Sequence, residues 1–584
     1  MPASRARFVG EAVAMVIAET PAAARDGAER VVVDWEPLPA VVAGSAAVAP
    51  GAPLVWDEAA SNVCVDSEAG DAAAVESAFA RAAHVVRLET QVNRVTGVPL
   101  EPRAALALWD GATGRYTIHA GSGGSQRVRS DVAAVLGVPE SAVRVVARDV
   151  GGNYGTRNSS YPEFALVAWA ARRLGRPVKW TCDRREALLT DCHARDLLSH
   201  AELALDAAGT FLAFRGASTS NVGAHTLSFI PLAKGVAVST SVYHVPAVFV
   251  RGRAVLSNTS PTTPYRAAGR PEVMFVIERL IDLAARRHGF DRVALRRRNL
   301  VAASAMPYRS AGRPEVMFVI ERLIDLAARR HGFDRVWLRR QNLVPAAAMP
   351  YRNPLGLLYD SGDYGAAQDR VLALADWAGF EARRAEARRR GRYRGIGLAN
   401  YIELNTGAPR ERAEITVRPE GRIDLVIGTL SAGQGHETSF AQLIAEWYGV
   451  ELEQVRVITG DTDVAPVGGG SHSGRSMRLG AVVMARAADQ TIDRGRRLAA
   501  WMLEAADADI DFAGRRFSVK GTDRAVDLFE VAAAGLRPDA PEPLRGALAG
   551  MGDETMSVPS YPYGAAVCEV EVDPETGVVE IVRY

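Results

Sequence analysis

Cysteine is scarce: the 584 residues hold four, at 64, 182, 192 and 568. None stands in a C-x-x-C pair, which argues against a zinc or iron–sulfur centre held by this chain. Cys192 adjoins His193, but a buried thiol beside a surface histidine is the plainer reading of that pair. Net charge is also nearly absent, at +1. No strong field exists to gather nucleic acid or an anionic membrane. Long apolar runs are missing as well; none reaches the roughly 18 residues that a membrane-spanning helix needs. The first twenty residues carry basic groups and then an apolar stretch, but Glu11 and Glu19 interrupt it and no small-residue cleavage site follows. RFVGEAVAMVIA reads instead as a strand, and the protein as cytoplasmic.

What remains is ordinary globular composition, 48% hydrophobic and 23% charged, enough for about three or four domains. Residues 1–48 read as strand, loop, strand (RFVGEAVAMVIAE, then AERVVVDWEPLPAVV). The opening strand has no earlier partner, which suggests that an upstream piece is missing. Residues 49–83, rich in Ala, Gly and Pro, read as a linker over a surface. From 84 onward β-branched runs alternate with Ala/Leu-rich helical segments, which predicts mixed layers of helix and sheet.

Two repeats organise the chain. Shifted by 312 residues, TIHAGSGG (117–124) falls on TLSAGQGH (429–436), and without a gap 11 of 33 positions agree through Asp149 and Asp461. This predicts two related units, 84–390 and 391–584, each with a glycine loop, a helix and a strand. The second repeat is nearly exact: 264–306 is followed at once by 307–349, with 38 of 43 positions identical. Each copy predicts a helix, with Pro271 in the first turn, Ile277, Leu280, Ile281 and Ala284 on one face, and Gly289 ending it. Two copies are too few for a solenoid. A recent duplication or an assembly artefact explains them better.

Three glycine loops could carry chemistry. Val150-Gly151-Gly152-Asn153-Tyr154-Gly155-Thr156-Arg157 lies between a strand and the helix PEFALVAWAARRLG. Gly433-Gln434-Gly435-His436 opens a helix with Phe440, Leu443, Ile444 and Trp447 on its apolar face, and the plain alternative is a helix start capped by Thr438 or Ser439. Gly468 to Ser476 adds bare N–H groups, hydroxyls and a guanidinium. Glycines let backbone approach a ligand, and helix N-termini attract anions. None has the ending of a nucleoside-triphosphate loop or the dinucleotide fingerprint. A generic nucleotide-binding module therefore has only the glycines in its favour.

The order VGGNYGTRN, PYRxAGR, GQGHETSFAQ, GDTD and GGGSHSGRS resembles that of the large subunits of the xanthine oxidase and aerobic carbon monoxide dehydrogenase family, most of all the form II carbon monoxide dehydrogenase-like group. The resemblance runs from RFVGEAVA to DPETGVVEIVRY. It implies an α+β fold: two related molybdenum-cofactor-binding domains and a partial N-terminal α/β hammerhead-like domain. It implies molybdopterin cytosine dinucleotide, with molybdenum held by the pterin and by no protein ligand. Gly151, Gly152, Tyr154 and Gly155 are expected against the pterin and metal, Gln434 and Gly435 beside it, and Ser473, Gly474, Arg475 and Ser476 on its dithiolene or phosphate side. Arg266, or its copy Arg309, is expected to face a small-molecule substrate, with Arg266 favoured because its copy keeps the natural upstream strand FVRGRAVLSNT; the other copy must then bulge out or displace something. The implied reaction is hydroxylation of an aldehyde or N-heterocycle with oxygen from water. Electrons would leave through an iron–sulfur small subunit and an FAD medium subunit in a dimer of heterotrimers, with no Fe–S or FAD on this chain. The family's general-base glutamate lies beyond the point matching Tyr584, so the alternative is a truncated, duplicated, inactive remnant. Ala267 and Ser310 stand where copper-bearing members have cysteine, so no copper is expected. Gly121-Ser122-Gly123-Gly124 replaces a Gly-Ser-Gln-Gly segment, so that cofactor contact is not expected.

Overall fold

The computed structural model describes residues 2, 4–241, 243–300, 313–352, 358–403, 410–556 and 560–584, without the side chains of 313–320 and 323. Nine strands build the first half: β1 (Val63–Gly70), β2 (His84–Thr96), β3 (Ala104–Asp110), β4 (Arg115–Ala120), β5 (Val143–Val146), β6 (Val178–Thr181), β7 (His193–Leu205), β8 (Phe211–Gly223) and β9 (Ala247–Leu256). They form a five-stranded sheet, β1-β9-β8-β7-β2, and a four-stranded sheet, β5-β4-β3-β6. The helix Arg270–His288 lies on the larger sheet. Ile277, Leu280, Ile281 and Ala284 are wholly buried there against Leu203, Phe211 and Phe214, and Gly289, at φ 72°, closes the helix as its sequence predicts.

The second half has β10 (Tyr351–Arg352), β11 (Leu358–Tyr359), β12 (Tyr393–Ile402), β13 (Arg410–Arg418), β14 (Arg422–Ile427), β15 (Val455–Ile458), β16 (Ile510–Ala513), β17 (Arg516–Val519), β18 (Ala525–Asp527), β19 (Leu548–Thr555), β20 (Tyr563–Val572) and β21 (Val579–Arg583). Its four-stranded sheet, β15-β14-β13-β19, repeats the order of the first. In each sheet a central strand pairs in parallel with the strand after a helix: β4 with β5 across Ser125–Leu136, and β14 with β15 across His436–Tyr448. The long helix Arg475–Leu503 covers the second sheet and buries Val483, Met484 and Ala487 against Ile415, Leu425 and Ile427. The distant repeat is therefore a repeat of structure, with one correction. The ungapped match holds for helix and following strand, but the leading strands align only if the second loop is longer: it spans 428–435, against 121–124 in the first.

Two expectations fail. Residues 8–18 and 31–42 form no strand. An extended segment becomes a strand only where a neighbouring strand pairs with it along its length, and among the described residues these segments have isolated bonds, such as those between Val41 and Asn258, but no such ladder. A helix, Pro21–Glu29, separates them, capped by Thr20. The stretch 49–83 is not a plain linker: β1 pairs with β9 along its length, and the helix Ala72–Ala80 follows, capped by Asp71.

The tandem copies dock in different places. In the first, Arg296 joins Glu278 and Asp282. In the second, Arg339 repeats that triad with Glu321 and Asp325. The second copy does not hang free as a bulge: Glu321 accepts the Asn400 N–H of β12 at 3.0 Å, and Arg335 donates to the Ile396 carbonyl at 3.1 Å. Arg309 and Ser310 lie outside the described residues.

Candidate active site

Three glycine loops meet where the two related units are hydrogen-bonded to each other. The Gly123 N–H donates to the Arg157 carbonyl (2.9 Å), and the Ser471 N–H donates to the Gly123 carbonyl (2.9 Å). The GSGG segment is thus sandwiched between the first and third predicted loops. A side chain at Gly123 would collide with the amides of Asn153 and Asn158, and one at Gly470 with Gly123. Gln434 ties in the remaining loop: its Nε2 donates to Ser471 Oγ at 2.8 Å, while its Oε1 accepts the Ala432 N–H.

The two halves are pinned together beside this cluster. Arg144 on β5 grips Asp461 (Nε to Oδ1, 3.0 Å), Arg115 grips Asp463 (2.7 Å), and the Ala147 N–H donates to the Gly460 carbonyl (2.9 Å). Burial works against charge on Asp461, but the Arg144 guanidinium outweighs it and holds the carboxyl below its usual range.

The predicted residues divide by exposure. Gly151, Tyr154, Gln434, Gly435, Ser473 and Gly474 are exposed, Gly155 is half-buried and Gly152 is buried under the Tyr154 ring. Tyr154 (φ 53°), Ser473 (φ 55°), Gly152 (φ 110°) and Gly155 (φ 104°) are all left-handed, a clustering typical of functional loops. Arg475 and Ser476 lie below the surface. The Arg475 guanidinium, 1% exposed, pairs with Glu411 at 2.7 Å and donates to the carbonyls of Gly470 and Arg410. Ser476 Oγ bonds Thr429 Oγ1 (2.8 Å) and Ser471 Oγ (3.1 Å). These two lie beneath the exposed Ser473 and Gly474 and are bonded to the loop from below.

The helices that open here lack side-chain caps. Ser125–Leu136, His436–Tyr448 and Arg475–Leu503 start behind Gly124, Gly435 and Gly474, so neither Thr438 nor Ser439 is a cap. Elsewhere Asp71, Asp183, Asp291, Asp334 and Asp363 cap helices with their carboxylates, while Pro162–Leu174, Arg270–His288 and Phe380–Arg389 also start without a side-chain cap. Uncapped starts leave N–H groups for an anion. The His436 ring stacks on Phe440 with its Nδ1 unpartnered, and burial pushes its pKa down.

The Pro-Tyr-Arg loop joins the cluster through backbone. The Arg266 N–H donates to the Tyr154 carbonyl (3.0 Å), and the Pro264 carbonyl fills the space beside Gly155. Arg266 is exposed, and no side-chain partner is found for it among the described residues. Ala267 and Ala268 after it are left-handed, at φ 67° and 25°, and Gly269 packs on the Pro231 carbonyl. Sequence reasoning passed over Glu101, whose carboxylate accepts the Gly151 N–H at 2.7 Å, and the pinning amide of Asn153. Glu101 has no glycine beside it to draw attention. Cys192 is buried, and the His193 Nε2 lies 3.1 Å from the Leu188 carbonyl. Among the described residues no group of three or more His, Cys, Asp or Glu could hold a metal ion.

Two duplicated α/β units, joined at their glycine loops beside uncapped helix starts, offer backbone N–H groups to an anionic ligand. The Molybdopterin cofactor-binding domain family matches residues 55–300 and 302–343, and a second model of that description matches 370–584. The chain is 32% identical to the 6-hydroxypseudooxynicotine dehydrogenase complex subunit gamma of Paenarthrobacter nicotinovorans, over 99% of this chain and 68% of that one. It is 29% identical to the carbon monoxide dehydrogenase large chain of Hydrogenophaga pseudoflava, over 99% and 71%. Among solved structures, quinoline 2-oxidoreductase from Pseudomonas putida 86 superposes with a TM-score of 0.72 at 30% identity, covering 98% of this chain and 70% of that one. The chain belongs to the family of molybdopterin-binding large subunits of xanthine dehydrogenase- and carbon monoxide dehydrogenase-type oxidoreductases. No helix among the described residues is long and apolar enough to cross a membrane.

Proposed function

We propose that this chain is the cofactor-binding part of a molybdenum hydroxylase that inserts water-derived oxygen into an N-heterocycle or an aldehyde. The observation that carries this reading is that three uncapped helix starts, behind Gly124, Gly435 and Gly474, open from loops that are hydrogen-bonded to one another through Gly123, Ser471 and Gln434 at a seam between two related units. Those N–H groups fit a molybdopterin dinucleotide, for which the cytosine form is our choice. Gly151, Gly152, Tyr154, Gly155, Gln434 and Gly435 would hold the pterin side, and Ser473 and Gly474 the phosphate side, with Arg475 and Ser476 supporting them. When bound, the cofactor supplies the two-electron oxidation and activates water. The chain's own residues orient it, exclude solvent beneath Gly152, and present the Arg266 guanidinium to negative charge on the substrate oxygen. Ala267 offers no thiolate, so copper has no place in this scheme.

In this reading 84–390 and 391–584 are the two cofactor units, with β1 joined to the sheet of the first, and 1–48 is a partial hammerhead-like domain. An iron–sulfur subunit and a flavin subunit carry electrons away, within a cytoplasmic dimer of heterotrimers. Nicotine-derived and quinoline rings name two of the relatives, which favours a heteroaromatic substrate. The tandem copy supports a second reading, an inactive remnant. Co-expression with candidate partner subunits separates the two. Molybdenum near one per chain together with dye reduction by an N-heterocycle supports the first reading; a folded complex without molybdenum sinks it.

A further inference from the structure

Glu101 lies between β2 and β3, outside every glycine loop, yet it grips one of them at both ends. Its Oε2 accepts the Gly151 N–H at 2.7 Å, and its own N–H donates to the Gly151 carbonyl at 3.3 Å. At the far end of the same loop Arg157, 2% exposed, donates to the Glu101 carbonyl and reaches Oε2 at 3.4 Å. The carboxylate also faces the neighbouring segment, since a side chain at Gly121 would come within 3.2 Å of Oε1.

Between the clamped ends stand three left-handed residues, Gly152, Tyr154 and Gly155. Each costs about 1 kcal/mol or more if it is not glycine, and such backbone persists only where its surroundings over-determine it. Asn153 supplies an inner restraint by accepting the Gly155 N–H at 3.1 Å; Glu101 supplies the outer one. Tyr154 in turn accepts the Arg266 N–H. We propose that Glu101 is a positioning residue, which fixes the 151–157 loop and, through Tyr154, sets where Arg266 stands. Only its kinetic consequence rests on the hydroxylase reading.

The proposal requires an acceptor oxygen at Glu101 and not a negative charge. Glu101→Gln keeps that oxygen; Glu101→Ala removes it. Hydrogen exchange read by mass spectrometry on the full chain decides this without cofactor. In Glu101→Ala, peptides spanning 150–158 are expected to exchange about tenfold faster, the equivalent of one lost hydrogen bond that leaves its donor unsatisfied, while Glu101→Gln stays near wild type. Unchanged exchange in Glu101→Ala, or equal loosening in both variants, overturns the proposal. In the assembled enzyme Glu101→Ala should raise KM for substrate about tenfold with molybdenum content retained, and Glu101→Gln should restore it. A Glu101→Gln enzyme with full molybdenum and no turnover would instead make the carboxylate a proton-handling group and overturn the positioning role. If wild type itself carries no molybdenum, the hydroxylase reading fails while the exchange result still decides for or against Glu101.

Discussion

The backbone N–H of Arg266 donates to the carbonyl of Tyr154 at 3.0 Å, so the loop that would touch substrate hangs on the loop that would touch cofactor. The guanidinium itself is left exposed and unpaired among the described residues. Arg266→Ala should therefore leave the melting temperature and molybdenum content unchanged while lowering kcat/KM by about two orders of magnitude, the usual scale for loss of one charge-stabilising donor. Arg309→Ala should be silent, because the first copy already fills the place beside Tyr154. A variant pair with those effects exchanged would put the second copy in the site.

Gly155 has φ 104°, and any side chain there would collide with the Pro264 carbonyl. Both penalties act at once, so Gly155→Ala is expected to cost about 2–4 kcal/mol. The Pro264 carbonyl belongs to the Pro-Tyr-Arg loop, so that loop must shift as well. Thermal melting should show the loss, and cofactor retention should fall with it. A stable variant with normal cofactor content would mean that the two loops are not packed as described.

Much of this fold was legible in the sequence. The 3.6-residue stripe Ile277, Leu280, Ile281 and Ala284 named a buried helix face, and Gly289 named its end, because both follow from local chemistry. The repeat of glycine loop, helix and strand was legible for the same reason, though not the extra residues of the second loop: identity at Thr117 and Thr429 masks a shift of the strands before them. Residues 8–18 have the composition of a strand but pair with no strand among the described residues, which composition does not encode. Of the site, the loops announced themselves through glycine. Glu101 did not, since its importance comes from meeting Gly151 and Arg157, both some fifty residues away. Nor did the burial of Arg475, where a motif arginine turns inward to Glu411.

The thiols give a direct probe of the same region. Burial pushes Cys182 up to about 12 and Cys192 to about 11, with Arg103 opposing in both cases. Arg103 itself is wholly buried, pairs with Asp191 and Glu163, and sits two residues from Glu101. Burial raises the Cys64 thiol as well, so exposure decides the contrast: alkylation should mark the exposed Cys64 first and leave the buried Cys182 and Cys192 untouched until the chain unfolds. Rapid labelling of Cys192 in the folded protein would contradict the packing around Arg103. Arg103→Met should expose both thiols, because removing one partner leaves Asp191 and Glu163 buried without their cation.

Acid should separate the two halves at a definable point. The Asp461 carboxyl, which burial alone would push up, is held below its ordinary range by Arg144 across the seam. A depressed folded pKa means that the unfolded chain binds the proton more readily. The stabilisation is therefore complete above the ordinary carboxylate pKa of about 4 and fades as pH falls towards the folded value. Asp461→Asn removes the charge at every pH, so it should lower the melting temperature at pH 7. The gap between wild type and variant should then narrow steadily below about pH 4. If the gap is independent of pH, the Arg144–Asp461 pair contributes shape and not charge, and the seam beside the glycine loops owes its strength to the other bonds across it, among them the Ala147 N–H to the Gly460 carbonyl and the Thr462 N–H to the Val145 carbonyl.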